Sequence, residues 1–492
     1  MNRRGSTLRH LALVCALATF GCGARSSLDD WAPAPANGPE AGEGGAGGSG
    51  VGAGAGGSAP VCQAGCLEVA FARPFDYAEV TGLAVDARGN ILITGAFEGT
   101  VDFGGGPLVS TGYKDAFVLK LDPLGRHLWS RRFGELSAVP ELQAGLAIAT
   151  DAAGNILVGG HFGATTDFGG GPLAAQGKSG FIVLLDASGQ HVWSTHVGAG
   201  SAAVRGVGFH PAGGIVVTGD YVGTMDLGGE AFIDRRDEPS VFVARLDAAG
   251  GHVWSKSFGR SGAVQSSTLA LDAAGNIALG GSFDVVVDFG GGPLRAAGPS
   301  GAAGASDIFV ASLGPDGEHR WSQRLGSVAG EHPGGTVVDG AGNVVSLGSI
   351  GQTFQFGGDT LTSDGDAVFV AKLSATGAPT FGRSFSRAHA LAADAAGNTW
   401  LAGAFLYDAD FGCGPLTAKL QGLFVAGLDP RGEGFCSVSF EPSEYGGLSR
   451  IAVDPTGALV AVGNLKGTID FGAGPISSPE VRESMLVVKL LP

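Results

Sequence analysis

The sequence predicts an all-β fold: a seven-bladed β-propeller of four-stranded antiparallel blades, closed by an N-terminal strand in the last blade. Three observations carry this. One motif recurs seven times along 492 residues, opening each unit: VDARGNILITGAF (85–97), TDAAGNILVGGHF (150–162), FHPAGGIVVTGDY (209–221), LDAAGNIALGGSF (271–283), VDGAGNVVSLGSI (338–350), ADAAGNTWLAGAF (393–405) and VDPTGALVAVGNL (453–465). Each unit then repeats one internal order of short strands and tight turns. Finally, the seventh unit stops at Pro492 without a fourth strand, while a strand-like segment (67–75) precedes the first unit.

Within a unit, a short apolar strand enters Asp-x-x-Gly-Asn, a turn composition. The second strand follows, with a glycine at one position: Gly95, Gly160, Gly219, Gly281, Gly348, Gly403 and Gly463. Glycine weakens a strand interior, so seven copies imply a bulge or a close approach between neighbouring sheets. A link, usually Asp-Phe-Gly-Gly-Gly-Pro, leads to a third strand such as AFVLKLD or VFVAKLS. A second turn leads to the fourth strand, where Trp129, Trp193, Trp254 and Trp321 share one position, with Phe381 and Phe435 assigned to it later. Large rings in register suit a wedge between blades. Motif starts at 86, 151, 210, 272, 339, 394 and 454 are unequally spaced, which places insertions in loops of one repeated unit. Phe71 and Phe75 reproduce the spacing of Trp129 and Phe133, so 67–75 is expected to pair with about 484–490 and close the ring.

The address is read from the N-terminus. Arg3, Arg4 and Arg9 precede an apolar run of about eleven residues, too short to span a bilayer as a helix. Cys22 follows at once, and LATFGC resembles the bacterial lipoprotein signal. The expected organisation is a signal peptide (1–21), a lipidated Cys22 with a Gly/Ala/Ser/Pro-rich tether (22–61), and the propeller (62–492). Gly23 after the cysteine favours the outer membrane over inner-membrane retention. The tether lacks the apolar surface needed to fold.

Of six cysteines, Cys15 leaves with the leader and Cys22 takes the lipid. Cys62, Cys66, Cys413 and Cys436 then suit two disulfides in an exported protein, with three possible pairings. Nearness in sequence favours Cys62–Cys66 and Cys413–Cys436; a zinc site is the rival reading and lacks Cys-x-x-Cys spacing.

Composition narrows function. The chain carries 89 glycines, 46 acidic and 30 basic residues, and a net charge of −16. Such a surface repels phosphate backbones and argues against nucleic acid. Five Asp-Phe-Gly triplets (Asp102, Asp167, Asp288, Asp410 and Asp470), with Asp226 in a sixth link, match a kinase tripeptide by letters only. They read as aspartates bonding nearby backbone N–H groups; one carboxylate per blade would not converge on calcium. His127, His191, His252 and His319, one per unit, read as surface turn residues on a solvent edge. Asp122-x-x-Gly125-x-x-x-Trp129 resembles the tryptophan-docking motif of pyrroloquinoline-quinone enzymes, which in that family is structural, so no cofactor is expected. Glu331, His332, Glu441 and Glu444 in inter-unit connections are the loose candidates for catalysis.

On its Asp-x-x-Gly-Asn turn, glycine strand, Asp-Phe-Gly-Gly-Gly-Pro link, Phe-Val-x-Lys-Leu-Asp strand and Trp-Ser ending, the chain resembles bacterial SBBP-type β-propeller repeat lipoproteins, of the kind found in myxobacteria-like organisms. The resemblance covers about 67–492 and implies a fold and an envelope address more than an activity. The expected function is a non-catalytic binding or scaffold module for protein or polysaccharide, joined to the membrane by its N-terminal lipid. The alternatives are a propeller hydrolase or lyase with a central-pocket site, or a metal- or quinone-binding propeller.

Overall fold

The computed structural model describes residues 62, 65–111, 113–134, 143–175, 177–234, 236–259, 261–298, 306–363, 365, 367–479 and 483–492. The leader, Cys22 and the tether to residue 61 lie outside the described residues.

Seven four-stranded antiparallel sheets follow one another along the chain. Blade 1 is Glu79–Val85, Ile91–Phe97, Asp115–Leu121 and His127–Phe133, in that order from its innermost strand outward. Blades 2 to 6 repeat the order, beginning with Ala144–Thr150, Ala199–Phe209, Val264–Leu271, Pro333–Val338 and Ala390–Ala393. Blade 7 takes three strands from the C-terminal end, Tyr445–Val453, Leu459–Lys466 and Ser484–Leu491. Its fourth, outermost strand is Glu68–Asp76, antiparallel to Ser484–Leu491 from Glu68↔Leu491 to Asp76↔Ser484. The innermost strands contact one another in an unbroken circle, including blade 7 to blade 1. The ring is therefore closed by pairing the two ends of the fold, which leaves neither a missing outer strand nor an orphan one.

The core lies between blades. Seven clusters of buried apolar residues each draw on two neighbouring sheets; one joins Ile91, Phe117 and Leu119 of blade 1 to Val460, Val462 and Val487 of blade 7. Third strands such as Asp115–Leu121 are buried at every position because both faces are covered.

In six of the seven blades the glycine of the second strand sits opposite a bulge. Val80 pairs with Gly95 and Gly82 with Thr94, leaving Thr81 extra; blades 2, 3, 4, 5 and 7 shift register at the same place. A Cβ on Gly95 would lie 1.8 Å from the Glu79 carbonyl oxygen and 3.0 Å from the Phe117 ring. Carbonyl oxygens also stand within 2.1 Å of that point at Gly160, Gly219, Gly281 and Gly463. At these positions the approach is within one blade, from its own innermost strand and, at Gly95, Gly160, Gly219 and Gly281, also from the third-strand phenylalanine. At Gly348 the nearest atom belongs to Ile308 of the preceding blade, and at Gly403 it is the Phe424 ring.

Candidate functional site

The repeated polar residues are engaged in internal bonds. Asp86 Oδ1 accepts the N–H groups of Arg88 and Asn90, both at 2.9 Å, and Oδ2 accepts Asn90 Nδ2. Lys120 reaches the same carboxylate from the third strand at 3.1 Å and also donates to the Ala187 carbonyl of blade 2. Lys372 joins Asp339 to Gly397 O of blade 6, and Lys489 joins Asp454 to Pro123 O of blade 1. Each lysine thus ties its own blade's first turn to the following blade. Burial alone would raise these aspartates, but the hydrogen bonds from Asn90 and Lys120 at Asp86, and from Asn343 and Lys372 at Asp339, hold them below the usual carboxylate range.

The Asp-Phe-Gly links form hairpins over the blades. Asp102 Oδ1 accepts the N–H groups of Gly104 and Gly106, and Asp167, Asp288 and Asp470 repeat both bonds. Phe103 is buried, 5.0 Å from the Phe117 ring. The four histidines depart from the solvent-edge reading. Each is half-buried at the head of its outer strand, bonds a serine three residues on (His127 to Ser130 at 3.1 Å), and lies over the middle glycine of its blade's hairpin. A Cβ on Gly105, Gly170, Gly229 or Gly291 would strike the imidazole at 2.1–2.4 Å.

The tryptophans bridge blades. Trp193, Trp254 and Trp321 donate Nε1 to Ala248, Pro315 and Ala375 carbonyls of the next blade, at 3.0–3.1 Å. The rings of Trp129, Trp193, Trp254 and Trp321 lie against Gly189, Gly250, Gly317 and Gly377, the positive-φ glycines of the next blade's second turn. Phe381 covers Gly432 in the same way, and Phe71 of the closing strand covers Gly125 of blade 1.

Blade 6 breaks this pattern, and two sequence assignments fall with it. Its outer strand pairs Leu428 with Gly434 and Gly427 with Cys436, as blade 1 pairs Leu121 with His127 and Lys120 with Trp129. Cys436, not Phe435, therefore holds the tryptophan position. Phe435 points to the other face and meets Trp400 edge-on at 5.2 Å. The disulfides are Cys62–Cys413 and Cys66–Cys436, correcting the local pairing expected from sequence. The physical reason is the ring: blade 7 lacks a second turn, so there is no glycine for a blade 6 ring to cover. Cys66, leading into the closing strand, stands there instead. Cys413 holds the hairpin glycine position, Gly434 the histidine position, and Cys62 fills the space the histidine leaves.

The catalytic candidates do not converge. Glu331 is fully buried in the connection from blade 4 to blade 5, accepting from Ser327 Oγ. A Cβ on Gly326 would lie 2.5 Å from Asp307 Oδ1 and 2.6 Å from Glu331 Oε2, so the two carboxyls flank one point. Neither oxygen has a protein hydrogen-bond partner. Burial, reinforced by the Asp307 charge, pushes the Glu331 carboxyl up. The equivalent pair between blades 1 and 2 is Asp115 with Gln143, an amide where blade 4 has an acid. Both Asp307 and Glu331 are sealed from solvent. His332 donates its backbone N–H to Ser349, Glu441 accepts the Lys419 N–H, and Glu444 pairs with Lys466. His161, beside Lys178 and Arg205, is pushed down to about 3 by burial and then by those two charges. Among the described residues no group of three or more His, Cys, Asp or Glu side chains is placed to hold a metal ion.

Sequence reading missed the tyrosines. Each blade has one end bearing its tight turns, two in blades 1 to 6 and one in blade 7, and an opposite end bearing the inter-blade connections and hairpin roots. All five tyrosines of the chain belong to this connection-bearing end: Tyr77, Tyr113, Tyr221, Tyr407 and Tyr445. The available signal was that tyrosine recurs at no repeat position: Tyr221 stands where other units have Phe97 and Phe162, and Tyr407 where they have Gly99 and Gly223.

No family model matches the chain. A stretch of 131 residues is 32% identical to an uncharacterized WD repeat-containing protein of Acanthamoeba polyphaga mimivirus, covering 23% of this chain and 9% of that protein. Solved structures with similar folds include a protein of unknown function from Bacteroides caccae (TM-score 0.34, 10% identity, 70% of this chain and 98% of that one). Others are puromycin hydrolase (0.44, 13%, 85% and 58%) and a gluconolactonase of Xanthomonas campestris (0.30, 15%, 85% and 98%). The neighbours include enzymes and proteins of unknown function alike, so they leave the activity undetermined. The two disulfides point to an extracytoplasmic location.

Proposed function

We propose that the chain is a non-catalytic cell-envelope lipoprotein of the SBBP type, which presents its propeller as a binding or scaffold module for protein or polysaccharide. The observation that carries this reading is the use of the repeated polar residues. The repeated aspartates, histidines, tryptophans and lysines are engaged in turns, hairpins and blade-to-blade ties, so they build the frame. What differs between blades is the connection-bearing end, as expected of a rigid scaffold that displays variable loops. Oxidised cysteines and the LATFGC leader support an exported, lipid-anchored chain held in the outer membrane through Cys22.

Two measurements on the full-length protein test the proposal. Cys22→Ala should move the protein from the membrane to the soluble envelope fraction, and intact-mass analysis of the wild type should find an acylated N-terminus. A wild type already soluble with an unmodified N-terminus overturns the anchor. Immobilised protein should return bound ligand chemically unchanged, and conversion of ligand to product overturns the non-catalytic reading.

A further inference from the structure

We infer that the connection-bearing end of blades 6, 7 and 1 is a binding surface for a neutral polysaccharide, with sugar rings stacking on Tyr77, Tyr113 and Tyr407. This rests on the binding-module reading above and deepens it.

The first observation is where exposed rings occur. The exposed large apolar side chains include three aromatic ones among the described residues: Tyr77 at 42%, Tyr113 at 50% and Tyr407 at 58% exposure. Tyr77 lies just before the first strand of blade 1 and Tyr113 just before its third. Tyr407 lies where the second strand of blade 6 enters its hairpin. First and third strands start, and second strands end, at the same end of a blade. All three rings therefore share one end of the ring, on blades 6 and 1 either side of blade 7. Tyr445 stands at the same end of blade 7. The exposed apolar residues Leu128, Val192 and Val253 lie on outer strands instead.

The second observation is the backbone at Tyr407. Its φ is +61°, the one positive value for a non-glycine residue among those described. Three residues before the hairpin aspartate, blades 1, 3 and 7 carry Gly99, Gly223 and Gly467, at +73°, +88° and +84°. Tyrosine thus occupies a glycine position of the repeat, in a left-handed backbone conformation that strains a residue with a Cβ. The ring is mostly solvent-exposed, so burial does not offset that strain. Such an outlier points to a use for the side chain.

The third observation is the chemistry around the rings. Lys114 Nζ lies 5.9 Å from the Tyr113 ring centroid and pairs with Glu79. Tyr445 Oη donates to Glu483 Oε1 at 2.7 Å, while Glu483 Oε2 accepts Asn464 Nδ2 at 2.8 Å. Flat rings with few rotamers offer faces to the C–H side of a pyranose, and neighbouring carboxylates, amides and ammonium groups suit its hydroxyls. The net charge of −16 disfavours polyanionic glycans, which leaves neutral chains.

The test is affinity electrophoresis of the full-length protein through gels containing dextran, pullulan or laminarin, with heparin as the polyanion control. Retardation is expected with at least one neutral glycan and none with heparin. Tyr113→Ala combined with Tyr407→Gly should weaken it at least tenfold. Tyr407→Gly restores the residue the repeat uses at that φ, so the melting temperature should stay level or rise. Leu128→Ala with Val192→Ala should leave binding unchanged. Binding to none of the three neutral glycans, or binding that the tyrosine variant retains, overturns the assignment. Retention of a protein ligand by the same chain would then leave the binding-module reading standing. Hydrolysis of a bound glycan would bring down both.

Discussion

Between blades 3 and 4, the Trp254 ring lies on Gly317 and its Nε1 donates to Pro315 O at 3.1 Å. Between blades 6 and 7 the equivalent residue is Cys436, bonded to Cys66. The two interfaces solve one problem with different means. A ring needs a turn to sit on, and five successive blades supply one: Gly189, Gly250, Gly317, Gly377 and Gly432. Blade 7 supplies none, because its third and fourth strands come from opposite ends of the fold. There a covalent bond replaces packing. On the far side of the seam packing returns: Phe71 covers Gly125, Arg73 Nε donates to Leu124 O, and Phe75 meets Phe103 edge-on at 6.5 Å. Arg450 adds an inner tie, donating from blade 7 to Thr81 O of blade 1 at 2.8 Å. The segment 66–76 thus completes blade 7 while gripping blades 6 and 1.

The largest effect should come from removing that segment. Deleting 62–76 leaves Ser484–Leu491 as a bare edge and exposes the 7–1 core, so stability should fall by about 5 kcal/mol or more. Size-exclusion chromatography should show aggregates in place of monomer. A monomer melting within a few degrees of the wild type would mean the ring does not depend on this strand.

Next is a comparison of the two interface types. Removing Cys66–Cys436 by a double alanine substitution should cost about 2–4 kcal/mol in chemical denaturation. Trp321→Ala, at a buried ring, should cost a similar ~3 kcal/mol. Cys436→Trp in a Cys66→Ala background should recover little, since no second-turn glycine faces it. Full recovery would show that the wedge needs no such turn.

The smallest effect separates blade 4 from blade 1 rather than the seam from the rest. Glu331 occupies the position of Gln143, beside a buried aspartate. Its pKa is raised in the fold above the ordinary 4.5, so the folded state holds the proton more tightly than the unfolded. Its stabilising effect is complete below about pH 4.5 and is lost as pH rises through the folded value. Glu331→Gln should therefore stabilise by about 1 kcal/mol at pH 7 and make no difference at pH 4, read from melts at both. An equal shift at both pH values would refute a raised Glu331 carboxyl.

The fold was legible because each repeat states its turns chemically. Asp86, Gly89 and Asn90 carry the turn's bonds in their own side chains and φ, and the same letters recur at fixed offsets. The closing strand was legible from Phe71 and Phe75, which copy the spacing of an outer strand. The disulfide partners were not. Cys62 and Cys66 are four residues apart in sequence, yet each meets a partner more than 350 residues away, a proximity that only ring closure creates. Phe435 was misplaced because the nearest aromatic stood in for the offset: seven residues carry Asp122 to Trp129, and the same seven carry Asp429 to Cys436, while every outer strand of blades 1 to 6 has the same register shift. The histidines misled because their partner is a glycine, which leaves no side-chain signature of the contact. The exposed tyrosines each occur in a single unit, Tyr407 where other units have glycine, so no recurring letter points to them.

The Cys62–Cys413 bond has a mechanical consequence. Without it, a pull entering the fold from its N-terminal side would load Glu68–Asp76 end-first and peel it from Ser484–Leu491 one hydrogen-bond pair at a time. With it, tension leaves the chain at Cys62 and runs through sulfur into the blade 6 hairpin, and whatever passes onward meets Cys66–Cys436 before the first rung of the ladder. The zipper that closes the ring is thereby shielded from tension arriving at Cys62, which covalent bonds bear and spread over a neighbouring sheet.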